Sequence, residues 1–282
     1  MRCLFRNWRW LVPLLLWSAD ANAWGLYTHV YFAQMLLWAV PLTDPRYRRA
    51  VKSFPRLVLA GACLPDLALL SERPWGKPFS TTHQWQRARK LLDDARSDEE
   101  YALSLGFVSH LLVDVIAHNY FVPAHEKMWG NIPVLTHAAC EWAMDTHIRS
   151  QLFAEPGELM DMHREDLAEY VAQHFACPQP LARRGVAMLA GAENLLRASC
   201  LSHLCYFGAR VLDAGMQRRF NYYLGETGVR LAHIDRILSG DVPVWDANPH
   251  ADDPEVRQRI ELIAPLQLRH RIPLPRDVFS EV

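Results

Sequence analysis

"DEEYALSLGFVSHLLVDVIAHNY", residues 98 to 120, decides the fold. Acids open it, as suits a helix N-terminus, and an apolar stripe at helical spacing follows. The same periodicity runs through residues 28–39, 46–61, 84–96, 136–153, 157–175, 183–218 and 222–239, with Pro and Gly clusters such as "ACPQP" and "SGDVP" between segments. Runs of β-branched residues bounded by turn signals are scarce. The expected fold is therefore all-α, one multi-helix domain over residues 24–282. Within it, 146–240 is expected to be a helical extension and 241–282 an irregular tail rich in Pro and charge.

Within the opening stretch, His110, Asp114 and His118 stand at i, i+4 and i+8 and share one side of a helix. An ionised aspartate on an apolar stripe costs several kcal/mol unless it is paired or binds a metal. Along the axis His110 and His118 are about 12 Å apart, poorly placed for one zinc with ligands at about 2 Å. As ligands they would serve different ions, with Asp114 able to bridge. His137 and Glu141, in "THAACEWAMD", repeat the i, i+4 spacing. Asp66 lies behind Pro65 in the hydrophobic run "LAGACLPDLALL", and His83 lies in "STTHQW". Each of these two reads equally as a polar cap beside a turn.

The N-terminus adds a ligand of another kind. Arg2, Arg6 and Arg9, the apolar "LVPLLLW" and then Ala21-Asn22-Ala23 read as a secretory signal over residues 1–23. Its apolar core is too short for a bilayer span, which needs about 20 residues. The expectation is an exported protein, periplasmic or secreted, with no transmembrane segment after cleavage. A mature chain starting at Trp24 carries an α-amino group with a pKa of about 8, able to chelate a metal together with its own carbonyl oxygen. His29 is close enough in sequence to fold onto the same ion.

Lys and Arg number 30 against 31 Asp and Glu, a formal net charge of −1. Losing the signal leaves the balance near neutral, so a strong basic field for nucleic acid is absent. Cys3 leaves with the signal, and Cys63, Cys140, Cys177, Cys200 and Cys205 remain. An odd count suggests mostly buried thiols and at most two bridges, with Cys200–Cys205 one candidate pair.

In order along residues 24–145, Trp24, His29, Asp66, His83, His110, Asp114, His118, His137 and Glu141 resemble the ligands of the zinc-dependent phospholipases C, which are related to the fungal zinc-dependent single-strand nucleases. The resemblance implies an all-helical fold holding up to three zinc ions. Asp66, His83, His110 and Asp114 would hold one. Asp114 would bridge to a second, held with Trp24 and His29, and His118, His137 and Glu141 would hold the third. The Asp114–His118 step is short for the family, which leaves His125, in "FVPAHE", as a rival ligand.

The implied chemistry is phosphodiester hydrolysis, in which paired ions stabilise the attacking and leaving oxygens. Asp66 is expected to position or deprotonate the water. Phospholipid is the expected substrate, with contact at a membrane surface and nucleic acid disfavoured; "HNYFVP" resembles the phospholipase branch. A secreted single-strand nuclease, using aromatic platforms for bases, and a non-catalytic zinc-stabilised helical protein are the alternatives. The loop "LALLSERPWGKPFSTT" is expected to bring Trp75 and Phe79 to the mouth and Arg73 and Lys77 to the phosphate.

Overall fold

The computed structural model describes residues 25–247 except 72 and 131, then 254–268, 274 and 277–279. Among them there is no strand. The helices are α1 (Leu26–Trp38), α2 (Pro45–Ser53), α3 (Pro55–Gly61), α4 (Trp85–Asp94), α5 (Asp98–Ile116), α6 (Val122–Trp129), α7 (Pro133–Ile148) and α8 (Pro156–Met162). They continue with α9 (Arg164–His174), α10 (Gln179–Ala198), α11 (Leu201–Leu212), α12 (Met216–Leu231), α13 (Ile234–Ser239), α14 (Pro254–Leu262) and α15 (Pro265–Leu268). The expected signal over 1–23, and Trp24, lie outside the described residues.

Helix α5 is the axis of the bundle. Ser97 caps it by accepting from the Glu100 amide at 3.2 Å, while the Glu100 carboxylate accepts from Ser97 N–H, a reciprocal pairing that satisfies two orphan donors. From Ala102 to Ile116 every residue is buried, because α1, α2, α3, α4 and α12 all pack around it. A helix apolar on all sides has to be enclosed in this way. The segment Asp98–Trp129 is long and apolar enough to cross a membrane by length and composition, but its apolar window is wholly buried in the bundle. Where α3 crosses α5 the backbones nearly touch. A Cβ on Gly106 would stand 2.0 Å from the Val58 carbonyl oxygen, and one on Gly61 2.4 Å from that of Leu103. Only glycine fits there.

Breakers divide several segments that periodicity alone runs together. The 46–61 segment splits at Pro55, and the chain turns by 100° between α2 and the run from Pro55 to Leu70, since proline cannot continue the preceding ladder. The 183–218 segment breaks at Cys200, held in the left-handed region at φ 62°, and again around Asp213. The tail is a correction. Residues 241–282 include α14 and α15 rather than only irregular chain, and Ile260, Leu268, Leu274 and Val278 are buried. All five cysteines from Cys63 to Cys205 are free thiols, so the Cys200–Cys205 bridge does not form.

Candidate metal centre

Six segments deliver their polar side chains to one buried place. His29 comes from α1, Asp66 from the 3-10 turn Pro65–Leu70, and His83 from the turn before α4. His110 and Asp114 come from α5, and His137 and Glu141 from α7. His118 lies on the π-helical turn Ala117–Phe121 that follows α5. Such turns are rare and frequent at functional sites.

Asp114 is the hub. Its Oδ2 faces His110 Nε2 at 2.9 Å and His83 Nε2 at 3.3 Å, while its Oδ1 faces His29 Nε2 at 3.2 Å and His118 Nε2 at 3.7 Å. Asp66 Oδ1 lies 3.6 Å from His110 Nε2 and 3.8 Å from His83 Nε2. Further along, Glu141 Oε1 is 2.9 Å from His137 Nε2, and the His118 and His137 rings stack at 5.7 Å. Three donor sets follow, each with ligand atoms within 4.8 Å of one another: His29, His110 and Asp114; Asp66, His83 and His110; His118, His137 and Glu141.

The residues fit metal ions. His29 Nε2, Asp66 Oδ1, both Asp114 oxygens, His118 Nε2, His137 Nε2 and Glu141 Oε1 are buried without a hydrogen-bond partner. Leaving so many polar atoms unsatisfied is costly, and cations held by the three sets would remove that cost. Some rings are already oriented for it. His110 Nδ1–H donates to the Ala62 carbonyl at 2.7 Å, which leaves Nε2 with its lone pair directed at Asp66 and Asp114. The close crossing of α3 and α5 at Gly61 and Gly106 puts that carbonyl within reach.

Titration in the metal-free chain carries the same strain. Burial pushes the Asp66 carboxyl up to about 7 against the pull of His110 and His83, and pushes Glu141 up to about 7 against His137. Burial opposes charge on Asp114 too, but His110 and His29 outweigh it and hold this carboxyl well below its usual range. Burial drives His118 down to about 3. It also disfavours protonated His137, yet Glu141 and Glu126 prevail and hold that imidazole near 10.

His125 is not part of the cluster. Its Nδ1–H donates to the Phe121 carbonyl at 2.7 Å, and its ring packs among Phe121, Trp129, Phe220 and Tyr223. The neighbouring Glu126 turns inward instead, its Oε1 3.4 Å from His137 Nδ1, where a carboxylate orients a ligating imidazole. The loop expectation needs correcting as well. Phe79 is fully buried and so lines no mouth, and Trp75 is half-buried beneath the Arg184 guanidinium, 4.7 Å away. Arg73 and Lys77 are exposed.

Asp145 escapes the sequence reading although it extends the His137–Glu141 series by one more turn. Its Oδ1 accepts from Thr28 N–H at 3.0 Å and from Thr28 Oγ1 at 2.8 Å, and its Oδ2 accepts from Arg197 Nη2 at 2.6 Å. Arg197 also covers the Tyr27 ring at 4.2 Å. This clamp fixes the first turn of α1 and with it His29. Asp145→Ala is expected to lower unfolding stability by ~3 kcal/mol, because it leaves a buried guanidinium short of its partner; urea titration of variant and parent measures this, and a loss below ~1 kcal/mol would mean the clamp is dispensable.

No curated protein and no solved structure matches the chain. The family model described as zinc dependent phospholipase C matches residues 28–177, more than half of the chain. That stretch holds every donor from His29 to Glu141, and the chain belongs to this family of zinc-dependent phospholipases.

Proposed function

We infer that the protein is an exported phospholipase C, starting at Trp24 after loss of its signal and binding three zinc ions, that cuts glycerophospholipids to diacylglycerol and a phosphorylated headgroup. The observation that carries this reading is the trio of buried donor sets around Asp114 and His137, within the stretch the family model matches. Zinc bound there would neutralise phosphate charge and lower the pKa of water to about 7. The chain's own groups supply the rest. Asp66 Oδ1 is turned toward His83 and His110, which leaves Oδ2 to take the proton of the attacking water. Glu126 holds the His137 ring by its second nitrogen, and the Asp145 clamp holds α1 and His29.

The test is product analysis with the purified zinc form. Release of phosphorylated headgroup from a glycerophospholipid, abolished by a chelator and with little action on single-stranded DNA or RNA, is the expected result. Rapid digestion of single-stranded nucleic acid with no lipid cleavage would replace this assignment by the nuclease one. Hydrolysis of neither substrate by fully zinc-loaded protein would leave the cluster a structural one.

A further inference from the structure

Helix α11 is built inside out. Its buried positions include Ser202 and Tyr206, while Leu204, Phe207, Val211 and Leu212 face outward, the last two 84% and 85% exposed. Leu204, Phe207 and Val211 stand at i, i+3 and i+7 and form one ridge. Single exposed apolar residues are ordinary, but a ridge of them marks a surface that meets something. The helix carries no carboxylate, and Arg210 beside the ridge has no ion-pair partner among the described residues.

The ridge is attached to the metal centre. Leu201 and Cys205 of α11 pack on Ala138 and Trp142 of α7, the residues that directly follow His137 and Glu141. At the other end of α11, Asp213 Oδ2 accepts from Trp129 Nε1–H at 3.0 Å. This brings the end of the ridge to the turn between α6 and α7. That turn exposes Ile132 and the start of α7 exposes Leu135, and His137 lies two residues beyond Leu135.

We propose that α11 and the turn before α7 form the surface by which the enzyme seats on a phospholipid bilayer containing anionic lipid, with the apolar ridge entering the interface and Arg210 meeting headgroups. An apolar face with a cation beside it suits a helix that lies in a membrane interface. A bilayer is the occupant that supplies both partners at once, and it presents substrate at the edge of the helix bearing His137. The proposal rests on the phospholipase reading. It places lipid contact on α11 and the turn before α7 instead of the Trp75 loop.

The experiment is co-sedimentation of the zinc-loaded protein with phosphatidylcholine vesicles, with and without phosphatidylglycerol, comparing parent, Phe207→Ser/Val211→Ser/Leu212→Ser and Arg210→Gln. All substituted positions are exposed, and hydrolysis of a short soluble phosphodiester checks that each variant is folded and active. The triple variant is expected to lose vesicle binding by at least about tenfold and vesicle-lipid hydrolysis with it, while keeping soluble turnover. Arg210→Gln is expected to weaken binding only where phosphatidylglycerol is present. Equal vesicle binding by parent and triple variant would overturn the proposal, as would a dimer of the parent that the triple substitution dissociates. Binding lost in the triple variant while the parent hydrolyses no lipid would uphold the surface and count against the phospholipase reading alone.

Discussion

Asp114→Asn is expected to reduce phosphodiester hydrolysis by at least about 100-fold, a loss of ~3 kcal/mol of transition-state stabilisation. The substitution keeps the shape of the side chain but removes its charge. Both carboxylate oxygens are engaged, Oδ2 toward His110 and His83 and Oδ1 toward His29 and His118, so one change weakens the attraction for cations on either side. His110 also belongs to two donor sets, but it turns a single nitrogen toward them where Asp114 turns two oxygens. His118→Gln, which touches one donor set, is expected to do less damage than Asp114→Asn when kcat/KM and zinc content are measured side by side. Near-normal turnover of the aspartate variant would make Asp114 a structural residue.

The second large effect concerns the chain start. On the proposed reading the α-amino group and carbonyl oxygen of Trp24 complete the ion held by His29 and Asp114. A form carrying one extra residue before Trp24 has a peptide nitrogen in place of that amine, and a peptide nitrogen does not donate a lone pair. This form is expected to lose one ion per chain and nearly all activity. Elemental analysis and turnover of the extended and authentic forms measure both. Equal metal content and equal rate in the two would remove the terminus from the site.

What the sequence disclosed follows from how local each signal was. The i, i+4 pairs on α5 and α7 were visible because a helix places such residues on one face whatever surrounds it. That residues 98 to 120 form a helix was legible in the same way, from acids at its start and an apolar stripe after them, but its burial on every side was not. Glu126 and Asp145 were hidden because their partners lie elsewhere: His137 on the next helix in one case, Thr28 and Arg197 far along the chain in the other. Spacing carries no trace of such pairings. The mouth was misjudged for a related reason. Trp75 and Phe79 looked free in a loop rich in turn residues, but tertiary packing buried the phenyl ring, and the exposed apolar ridge came from α11, whose sequence alone does not say which face is covered. Breaks at Pro55 and Cys200 show the limit of periodicity, which runs straight through a change in chain direction.

The most direct measurement is the zinc content of the protein beginning at Trp24, by elemental analysis after exhaustive dialysis against buffer with trace zinc. Three ions per chain is the result the account predicts, falling toward two in the form with a residue added before Trp24. Two or fewer in the authentic form would contradict the cluster as drawn here.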